Sequence, residues 1–325
     1  MKVVVLGMGG TIAGVGDASA PRGYRAGELP IETLLATAGA SAAGAVFSEQ
    51  VAQVDSKDMD ETLWVRLGQR VRHWLGQEDV VGVVVTHGTD TLEETAFFLH
   101  LAVDAAKPVV LTGSMRPATD AQPDGPGNLR DATLLASSVG VRGVLVVFAG
   151  QVFAGSEVRK VHPLRNDAFE AGDAGCVARI ESGGVRQLRE WPVAGADYQP
   201  RSLDCLANWL DEGRPLPWIA WLTSHAGATG NTVRALVAAG VQGLVIGGTG
   251  NASLNSRLES ALDEARTAGV LVEVGSRCSS GDAEPVQAGE SGLALQPAKA
   301  RIAMQLGLIV SRTKLSSKGL RMRVR

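Results

Sequence analysis

Residues 80–95, VVGVVVTHGTDTLEET, carry the pattern that decides the fold. The run Val80–Val85 is apolar throughout and lacks the alternation of a half-exposed strand, so it predicts a strand that is buried on both faces. A turn of small and polar residues follows, and the segment Thr91–Val103 then opens with glutamates, a composition typical of a helix N-terminus. A buried strand, a turn and a helix in succession are the repeating unit of a parallel α/β sheet.

The same succession recurs along the first half of the chain. Residues 58–76 predict an amphipathic helix, with Asp58 and Glu61 resembling a capping box at its start. Further buried strands are predicted at Val3–Leu6, Val109–Leu111 and Val144–Val147. We therefore expect an N-terminal domain over residues 1–189, with a parallel, Rossmann-like sheet that helices cover on both faces.

A stretch with several prolines interrupts this rhythm. Residues 190–217 have scattered charges and few apolar runs, and they predict a linker. Beyond it, strands are predicted at Trp218–Leu222, Gly243–Ile246 and Val270–Val274, and helices at Thr232–Ala239 and Ser253–Ala268. This pattern predicts a second, smaller α/β domain over residues 218–325, in which the basic segment from Lys314 onward forms a solvated tail.

Composition narrows the class of partner. The 325 residues are 45% hydrophobic and 20% charged, as in ordinary globular proteins, and the net charge is −3. So small a net charge favours neither nucleic acid nor an anionic membrane as a partner, and we expect a small-molecule substrate. The cysteines and histidines show no disulfide framework and no metal-ligand spacing, so no metal is expected.

The apolar runs also bear on location. The longest of them fall far short of the roughly 18 residues that a membrane-spanning helix needs. The N-terminal run Val3–Leu6 is shorter than the roughly 7–15 apolar residues of a secretory signal. We expect a cytoplasmic protein, or a periplasmic one if a leader has been removed.

Polar residues follow several of the predicted strands, where ligands bind in open parallel sheets. The loops are GGTIAG at 9–14, DSKD at 55–58 after a strand predicted to end near Val54, THGTDT at 86–91 and TGSMRP at 112–117. They should converge on one crevice and bring to it hydroxyls, exposed backbone N–H groups and an aspartate. This inventory suits nucleophilic attack with an oxyanion site, together with binding of a zwitterion.

Each of these residues taken alone also has a structural interpretation. Thr11 is typical of a turn or an N-cap, and Asp90 of a helix cap. His87, a lone histidine beside a glycine at a strand end, is more often structural than a catalytic base. Residues 7–10 hint at a dinucleotide-binding fingerprint, but Ile12 stands where its third glycine belongs, so no nucleotide cofactor is expected.

Taken together, the loops resemble a known family. GGTIAG at 9–14, THGTDTLEET at 86–95 and TGSMRP at 112–117 are similar to signature blocks of the bacterial L-asparaginases and glutaminase-asparaginases. DGPGNL at 124–129 and KARIAMQL at 299–306 also resemble blocks of that family, so the likeness covers nearly the whole chain. It implies hydrolysis of L-asparagine to L-aspartate and ammonia, with some L-glutaminase activity and without metal or cofactor.

The resemblance also implies catalytic roles. The first-loop threonine of that family, the nucleophile, corresponds to Thr11, and the activating tyrosine of its mobile loop corresponds to Tyr24. A second set corresponds to Thr89, Asp90 and Lys160, of which Thr89 and Lys160 activate water for deacylation or assist the first attack. Which threonine attacks first stays open.

Substrate contacts are implied in the same way. Asp90 would bind the substrate ammonium and Ser56 its α-carboxylate, while the backbone N–H groups of Thr89 and Ser114 would bind the oxyanion. The family assembles as a homo-oligomer, a dimer or tetramer, with sites near a subunit interface. A glutamate from the neighbouring subunit completes the site, and the candidates here are Glu284 and Glu290, with Ser253 as a further residue that reaches across.

Some positions depart from the family pattern. Lys57 stands where relatives often have glutamine or another small polar residue, which would alter the contacts with the substrate carboxylate. Beyond Leu308 the chain lacks the apolar helix expected of the family.

Two alternatives keep the scaffold and change the activity. One is a subunit of a tRNA-dependent amidotransferase, although that family carries an extra N-terminal domain. The other is a non-catalytic amino-acid sensor. A sensor has no need of Thr11, Tyr24 or Lys160, and all of them are present.

Overall fold

The structure is a computed structural model that describes residues 1–20, 23–39, 45–192, 202–281 and 295–321. Within these residues the chain forms two compact units, Met1–Leu203 and Asp204–Arg325. The division at residues 189 and 218 stays a prediction.

The first unit contains the larger sheet. The strands of this unit, whether in the sheet or in small ribbons, are β1 (Lys2–Gly9), β2 (Val15–Gly16), β3 (Tyr24–Arg25), β4 (Ala45–Val54), β5 (Val80–Thr86), β6 (Val109–Thr112), β7 (Val144–Phe148), β8 (Gln151–Ala154), β9 (Arg159–Lys160), β10 (Phe169–Glu170), β11 (Ala178–Glu181) and β12 (Gly184–Gln187). Its helices are α1 (Ile31–Ala38), α2 (Glu61–Leu75), α3 (Leu92–Ala102) and α4 (Gly125–Ser137).

The strand order in the large sheet is β12-β11-β8-β7-β6-β5-β1-β4. From β4 to β7 all neighbours are parallel, which confirms the predicted α/β fold class, and β8, β11 and β12 extend the sheet with antiparallel pairs. Two small ribbons, β2 with β3 and β9 with β10, lie outside it. Because β4, β1, β5 and β6 are parallel, the loops that leave their carboxyl ends lie at one edge of the sheet.

Burial explains the apolar central strands. Val83, Val84 and Val85 are fully buried, as are the side chains of β6 and β7. One face of the sheet packs against α1 and α4, with Leu129 and Leu135 of α4 among the core residues. The start of α2 differs from the prediction, because its N-cap is Asp60, whose side chain accepts the backbone N–H of Leu63. The box predicted at Asp58 is therefore wrong by one half-turn.

The second unit contains a parallel sheet of β13 (Ile219–Thr223), β14 (Gly243–Gly248) and β15 (Leu271–Ser276), in that order. Helices α6 (Asn231–Ala238) and α7 (Ser256–Thr267) contribute to its core with residues such as Val233 and Leu262. Helix α8 (Pro297–Arg321) contacts all of these strands. The predicted smaller α/β domain is thus present.

Two expectations for this part of the chain are corrected. Helix α5 (Ser202–Asp211) lies inside the predicted linker. It forms there because its Leu203, Leu206 and Trp209 are buried. Helix α8 continues past Leu308 to Arg321, with Ile309 fully buried, so the expectation that the chain lacks a helix there is wrong, while the solvated tail from Lys314 stays a prediction. The candidates Glu284 and Glu290 lie outside the described residues. Among the described helices, none combines the length and the apolar character needed to cross a membrane.

Candidate active site

The loops after β1, β4, β5 and β6 meet at one edge of the large sheet. The strand ends are level, because Gly7 pairs with Thr86 and Thr86 pairs with Thr112. Backbone hydrogen bonds continue beyond the strands: Gly10 N donates to Val54 O over 2.8 Å, and His87 N donates to Thr112 O over 2.8 Å. The predicted convergence of these loops is therefore what the structure shows.

A contact between two glycines brings the loops that carry Thr11 and Thr89 together. Gly10 has φ 81°, and a Cβ placed on it would lie 2.3 Å from the Cα of Gly88. A Cβ on Gly88 would lie 2.5 Å from the Ser56 hydroxyl. No side chain fits at either position, because such approaches are far inside van der Waals contact. Glycine is required here so that Thr11, Ser56 and Thr89 share one crevice.

The first pair of candidate residues is directly hydrogen bonded. Thr11 begins a short 3₁₀ turn after β1, and its Oγ1 lies 2.9 Å from the hydroxyl of Tyr24. Tyr24 comes from the ribbon of β2 and β3, where it pairs with Gly16. The same ribbon is tied to the loop after β6, since Gly16 N donates to Thr119 Oγ1 over 2.8 Å. Thr11 is buried beneath the half-buried tyrosine.

The second set forms around Lys160. Its Nζ donates to Thr89 Oγ1 and to Asp90 Oδ1, each over 2.8 Å. The Lys160 and Asp90 side chains are 17% and 33% exposed, and Thr89 is buried, so the pair is only partly screened by water. The backbone N–H of Lys160 donates to the carboxylate of Glu93 in the first turn of α3. Lysine, threonine and aspartate thus form one connected group.

Ser56 joins the loop after β4 to this group. Its Oγ accepts the backbone N–H of Asp90 over 3.2 Å, and its carbonyl accepts the hydroxyl of Thr91 over 2.7 Å. Thr91 is the N-cap residue of α3, so the interpretation of Asp90 as the residue at the cap position is wrong. The short turn before the helix places the Asp90 carboxylate toward Lys160 instead.

Ser114 lies on the loop after β6 and is fully buried. Its hydroxyl donates to the carbonyl of Arg116 over 2.6 Å, so the side chain stabilises the loop on which it lies. Asp124 accepts the backbone N–H groups of Met115 and Arg116, each over 2.9 Å, and stabilises the turn. This loop contacts the Thr89 side chain, because a Cβ on Gly113 would lie 3.3 Å from Thr89 Cγ2.

His87 lies behind the crevice and not in it. The residue is 1% exposed, and burial lowers the pKa of its imidazole to about 4. Its Nδ1 lies 2.7 Å from the carbonyl of Gly88, and its Nε2 lies 3.0 Å from Thr95 Oγ1. With both ring nitrogens hydrogen bonded inside the protein, the geometry favours the structural interpretation over a catalytic base.

Other singled-out residues stand apart from this group. The Lys57 ammonium is bound by Asp55 over 2.9 Å and by Asp58 over 2.8 Å. Ser253 belongs to the second unit, where it forms a bridge with Thr249. Among the described residues, no three His, Cys, Asp or Glu side chains lie close enough to bind a metal ion.

Sequence reasoning missed the contribution of Glu93 and of Asn128. The Asn128 amide donates to Gly113 O over 2.9 Å and accepts Ala149 N over 3.1 Å, which fixes the loop after β6 from below. Glu93 had been interpreted only as a favourable charge at the start of α3. Its link to Lys160 depends on a chain separation of 67 residues, which no local pattern reveals.

Comparisons with known proteins show which family the chain resembles. Residues 2–193 match the family described as Asparaginase, N-terminal, and residues 219–317 match the Glutaminase/Asparaginase C-terminal domain. The chain is 34% identical over 318 residues to the "Probable L-asparaginase periplasmic" of Haemophilus influenzae, covering 94% of this chain and 88% of that protein. It is 34% identical over 277 residues to the "Glutaminase-asparaginase" of Pseudomonas fluorescens, covering 83% of this chain and 74% of that protein.

A solved structure is similar over the same extent. The crystal structure of a "Probable Cytoplasmic L-asparaginase" from Campylobacter jejuni superposes with a TM-score of 0.83 at 32% sequence identity, covering 94% of each chain.

Proposed function

Because the chain belongs to the asparaginase family, we propose that it hydrolyses the side-chain amide of L-asparagine to L-aspartate and ammonia, with Thr11 as nucleophile. The coarser activity, amide hydrolysis of the asparaginase type, follows from the family. The observation that supports the finer proposal is the packing of two hydrogen-bonded sets, Thr11 with Tyr24 and Thr89 with Lys160, on loops that touch through Gly10 and Gly88.

The first step is acylation of Thr11. A threonine hydroxyl is a weak nucleophile until its proton is removed, and the Tyr24 hydroxyl at 2.9 Å is positioned to relay that proton. Thr11 Oγ1 attacks the side-chain carbonyl carbon of asparagine and forms a tetrahedral intermediate. The amide nitrogen takes up the proton and leaves as ammonia, so that the β-carboxyl group remains as an ester on Thr11.

The second step is hydrolysis of that ester. The Thr89 hydroxyl relays a proton: its Oγ1 takes one from the attacking water as its own proton passes to the Thr11 oxygen, and the Lys160 ammonium holds this hydroxyl in place by donating to Oγ1. The water attacks the ester carbonyl, Thr11 regains its proton, and L-aspartate leaves. Asp90 keeps the ammonium on Thr89 through its own bond to Nζ.

The substrate backbone is bound by the same loops. The Asp90 carboxylate is exposed enough for the substrate ammonium to reach it. Ser56 Oγ accepts the Asp90 N–H, and because a hydroxyl also carries one donor, its proton remains for the substrate α-carboxylate. The backbone N–H groups of Thr89 and Ser114 bind the oxyanion, an interaction that typically contributes about 3 kcal/mol for each donor.

Two further parts of the proposal concern the oligomeric state and the cellular location of the protein. The family resemblance implies a homo-oligomer, and sizing at micromolar concentration should show one, whereas a fully active monomer would contradict it. We also propose a cytoplasmic location; the names of relatives include both a periplasmic and a cytoplasmic form. Fractionation of the native host would decide between the two compartments.

The decisive assay measures ammonia release from L-asparagine, L-glutamine and D-asparagine at equal concentrations. We expect the highest kcat/KM with L-asparagine and a smaller value with L-glutamine. Tight binding of L-asparagine without ammonia release would contradict the proposal and favour an amino-acid sensor.

A further inference from the structure

Behind the crevice lies a hydrogen-bonded chain that the proposed mechanism does not use. It runs from Trp64 through Thr95 to His87 and ends at the Gly88 carbonyl. The Trp64 Nε1 donates to Thr95 Oγ1 over 2.9 Å, Thr95 Oγ1 lies 3.0 Å from His87 Nε2, and His87 Nδ1 lies 2.7 Å from Gly88 O. Thr95 and His87 are both almost completely buried.

The chemistry of these partners fixes the tautomer of His87. A carbonyl oxygen only accepts, so His87 Nδ1 must carry the proton that bonds to Gly88 O. A neutral imidazole has one N–H, and burial keeps this imidazole neutral at physiological pH, so Nε2 is an acceptor. It therefore accepts the hydroxyl proton of Thr95, whose oxygen is left to accept the indole N–H of Trp64. Every donor in the chain then has an acceptor.

The peptide that this chain holds is the one that carries the Thr89 N–H. Peptide bonds among the described residues are all trans, so the C=O of Gly88 and the N–H of Thr89 point in opposite directions from one rigid plane. A bond from His87 to the carbonyl therefore sets the direction of the N–H. It also polarises the peptide, which strengthens the N–H as a donor.

We propose that His87 is a positioning residue: as its Nδ1–H tautomer, fixed by Thr95, it orients the Gly88–Thr89 peptide so that the Thr89 N–H faces the oxyanion of the substrate. This inference rests on the proposed function. Glycine at position 88 has no side chain of its own to hold the peptide, and the closeness of Gly10 and Ser56 leaves no room for one. His87 supplies a side-chain hydrogen bond to the carbonyl of this peptide.

The first test is spectroscopic and does not depend on turnover. In protein labelled with ¹⁵N-histidine, two-bond ¹H–¹⁵N correlations distinguish a protonated Nδ1 from a protonated Nε2, and the His87 signals are those that vanish in His87→Gln. We expect a protonated Nδ1 and an unprotonated Nε2 at pH 7. A protonated Nε2 would overturn the inference even if the wild-type protein released ammonia normally.

The second test is kinetic and uses a nearly isosteric pair of variants. Thr95→Val removes the hydroxyl that fixes the tautomer, and we expect kcat to fall about tenfold with KM changed by less than about twofold, because only the transition state carries the oxyanion. Thr95→Ser keeps the hydroxyl and should restore kcat. Equal kcat in wild type and Thr95→Val, or loss of activity in Thr95→Ser with the fold intact, would overturn the inference.

A matched control is available in the second unit. His225 makes the same contact with the carbonyl of the next residue, 2.9 Å from Nδ1 to Ala226 O, but it is exposed. His225→Gln should leave kcat within about twofold of wild type, while His87→Gln lowers it. If the wild-type protein releases no ammonia from any amide, the proposed function fails and this inference falls with it. If only the tautomer or the Thr95 pair disagrees, the proposed function stands.

Discussion

The carboxylate of Glu93 accepts the backbone N–H of Lys160, while the side chain of the same lysine reaches Thr89 and Asp90. Both ends of Lys160 are therefore attached to one short segment, from the loop after β5 to the first turn of α3. The segment that carries Lys160 is also bound to the neighbouring strand of its ribbon, since next to β9 and β10 Val161 N donates to Ala168 O over 2.8 Å. These hydrogen bonds define where the ammonium lies.

Removing the Glu93 acceptor should slow catalysis. In Glu93→Ala the Lys160 N–H loses its partner, which costs about 1–3 kcal/mol, and we expect kcat to fall at least tenfold as the lysine side chain loses its register. Glu93→Gln keeps an acceptor oxygen and should retain most of the activity. Steady-state ammonia release measures both. Glu94→Gln, which removes a charge from the same turn, is the control, and an equal loss in all variants would point to the helix charge instead.

Changes to the Thr11 pair should separate nucleophile from activator. Thr11→Ala should lower kcat by about 10³-fold or more, because no other hydroxyl then forms the ester. Tyr24→Phe keeps the ring over Thr11 and loses only the hydroxyl, so a loss of about 10²-fold is expected. Trapping of an ester-linked peptide by mass spectrometry supplies the second readout. An ester on Thr89 in place of Thr11 would reverse the assignment.

Neutralising Lys160 should affect the reaction and leave the fold intact. Lys160→Met removes the donor to Thr89 and Asp90, and we expect a loss of about 10²–10⁴-fold in kcat. The comparison is Lys107→Met, which removes an ammonium bonded to Gln77 O elsewhere in the same unit. Circular dichroism should be unchanged in both. Near-wild-type turnover in Lys160→Met is the result that would remove this lysine from the mechanism.

The buried His87 predicts how stability depends on pH. Its pKa is about 4 in the folded protein, against 6.5 for a free histidine, so between these values only the unfolded chain binds the proton. The contribution of neutral His87 to the free energy of unfolding is complete above pH 6.5 and is lost as the pH drops toward about 4. The total loss is about 3 kcal/mol at 1.36 kcal/mol per pKa unit. Urea unfolding of wild type and His87→Gln at pH 7 and pH 4.5 measures this contribution. Parallel losses in the two proteins would contradict it.

The Gly10–Gly88 contact can be tested against a glycine of similar φ. Gly10→Ala adds a methyl group 2.3 Å from Gly88 Cα, and we expect the free energy of unfolding to fall by more than about 3 kcal/mol. Gly140 has a similar φ, 83° against 81°, but open space around its Cα. Gly140→Ala therefore measures the cost of a positive φ without a close contact, about 1 kcal/mol. If both variants lose the same stability, the contact between the loops contributes nothing.

Some of the fold could be predicted because its signals are local. The apolar runs of β5, β6 and β7 are buried on both faces, and burial is what removes alternation from a strand. The positions of the loop residues could be predicted as well, because the loops come directly after those strands in the chain. By contrast, β8, β11 and β12, which extend the sheet antiparallel, are as short as β6 but contain Gln151, Arg179 and Arg186, so no continuous apolar run marks them.

The candidate site divides in the same way. Thr11, Ser56 and Thr89 directly follow predicted strands, so topology alone brought them together. Lys160 lies in the two-residue strand β9, where no pattern marks it, and only the family resemblance singled it out. Asp58 and Asp60 both suit an N-cap, and the choice between them depends on where packing of Trp64 and Leu67 starts the helix.

Every side chain that the proposed mechanism uses lies between residues 11 and 160, within a single compact unit. Recombination near residues 193–201 would therefore exchange the rest of the chain while these side chains are inherited intact. Chimaeras made at that crossover with relatives of differing amide preference would show which of the two parts determines that preference.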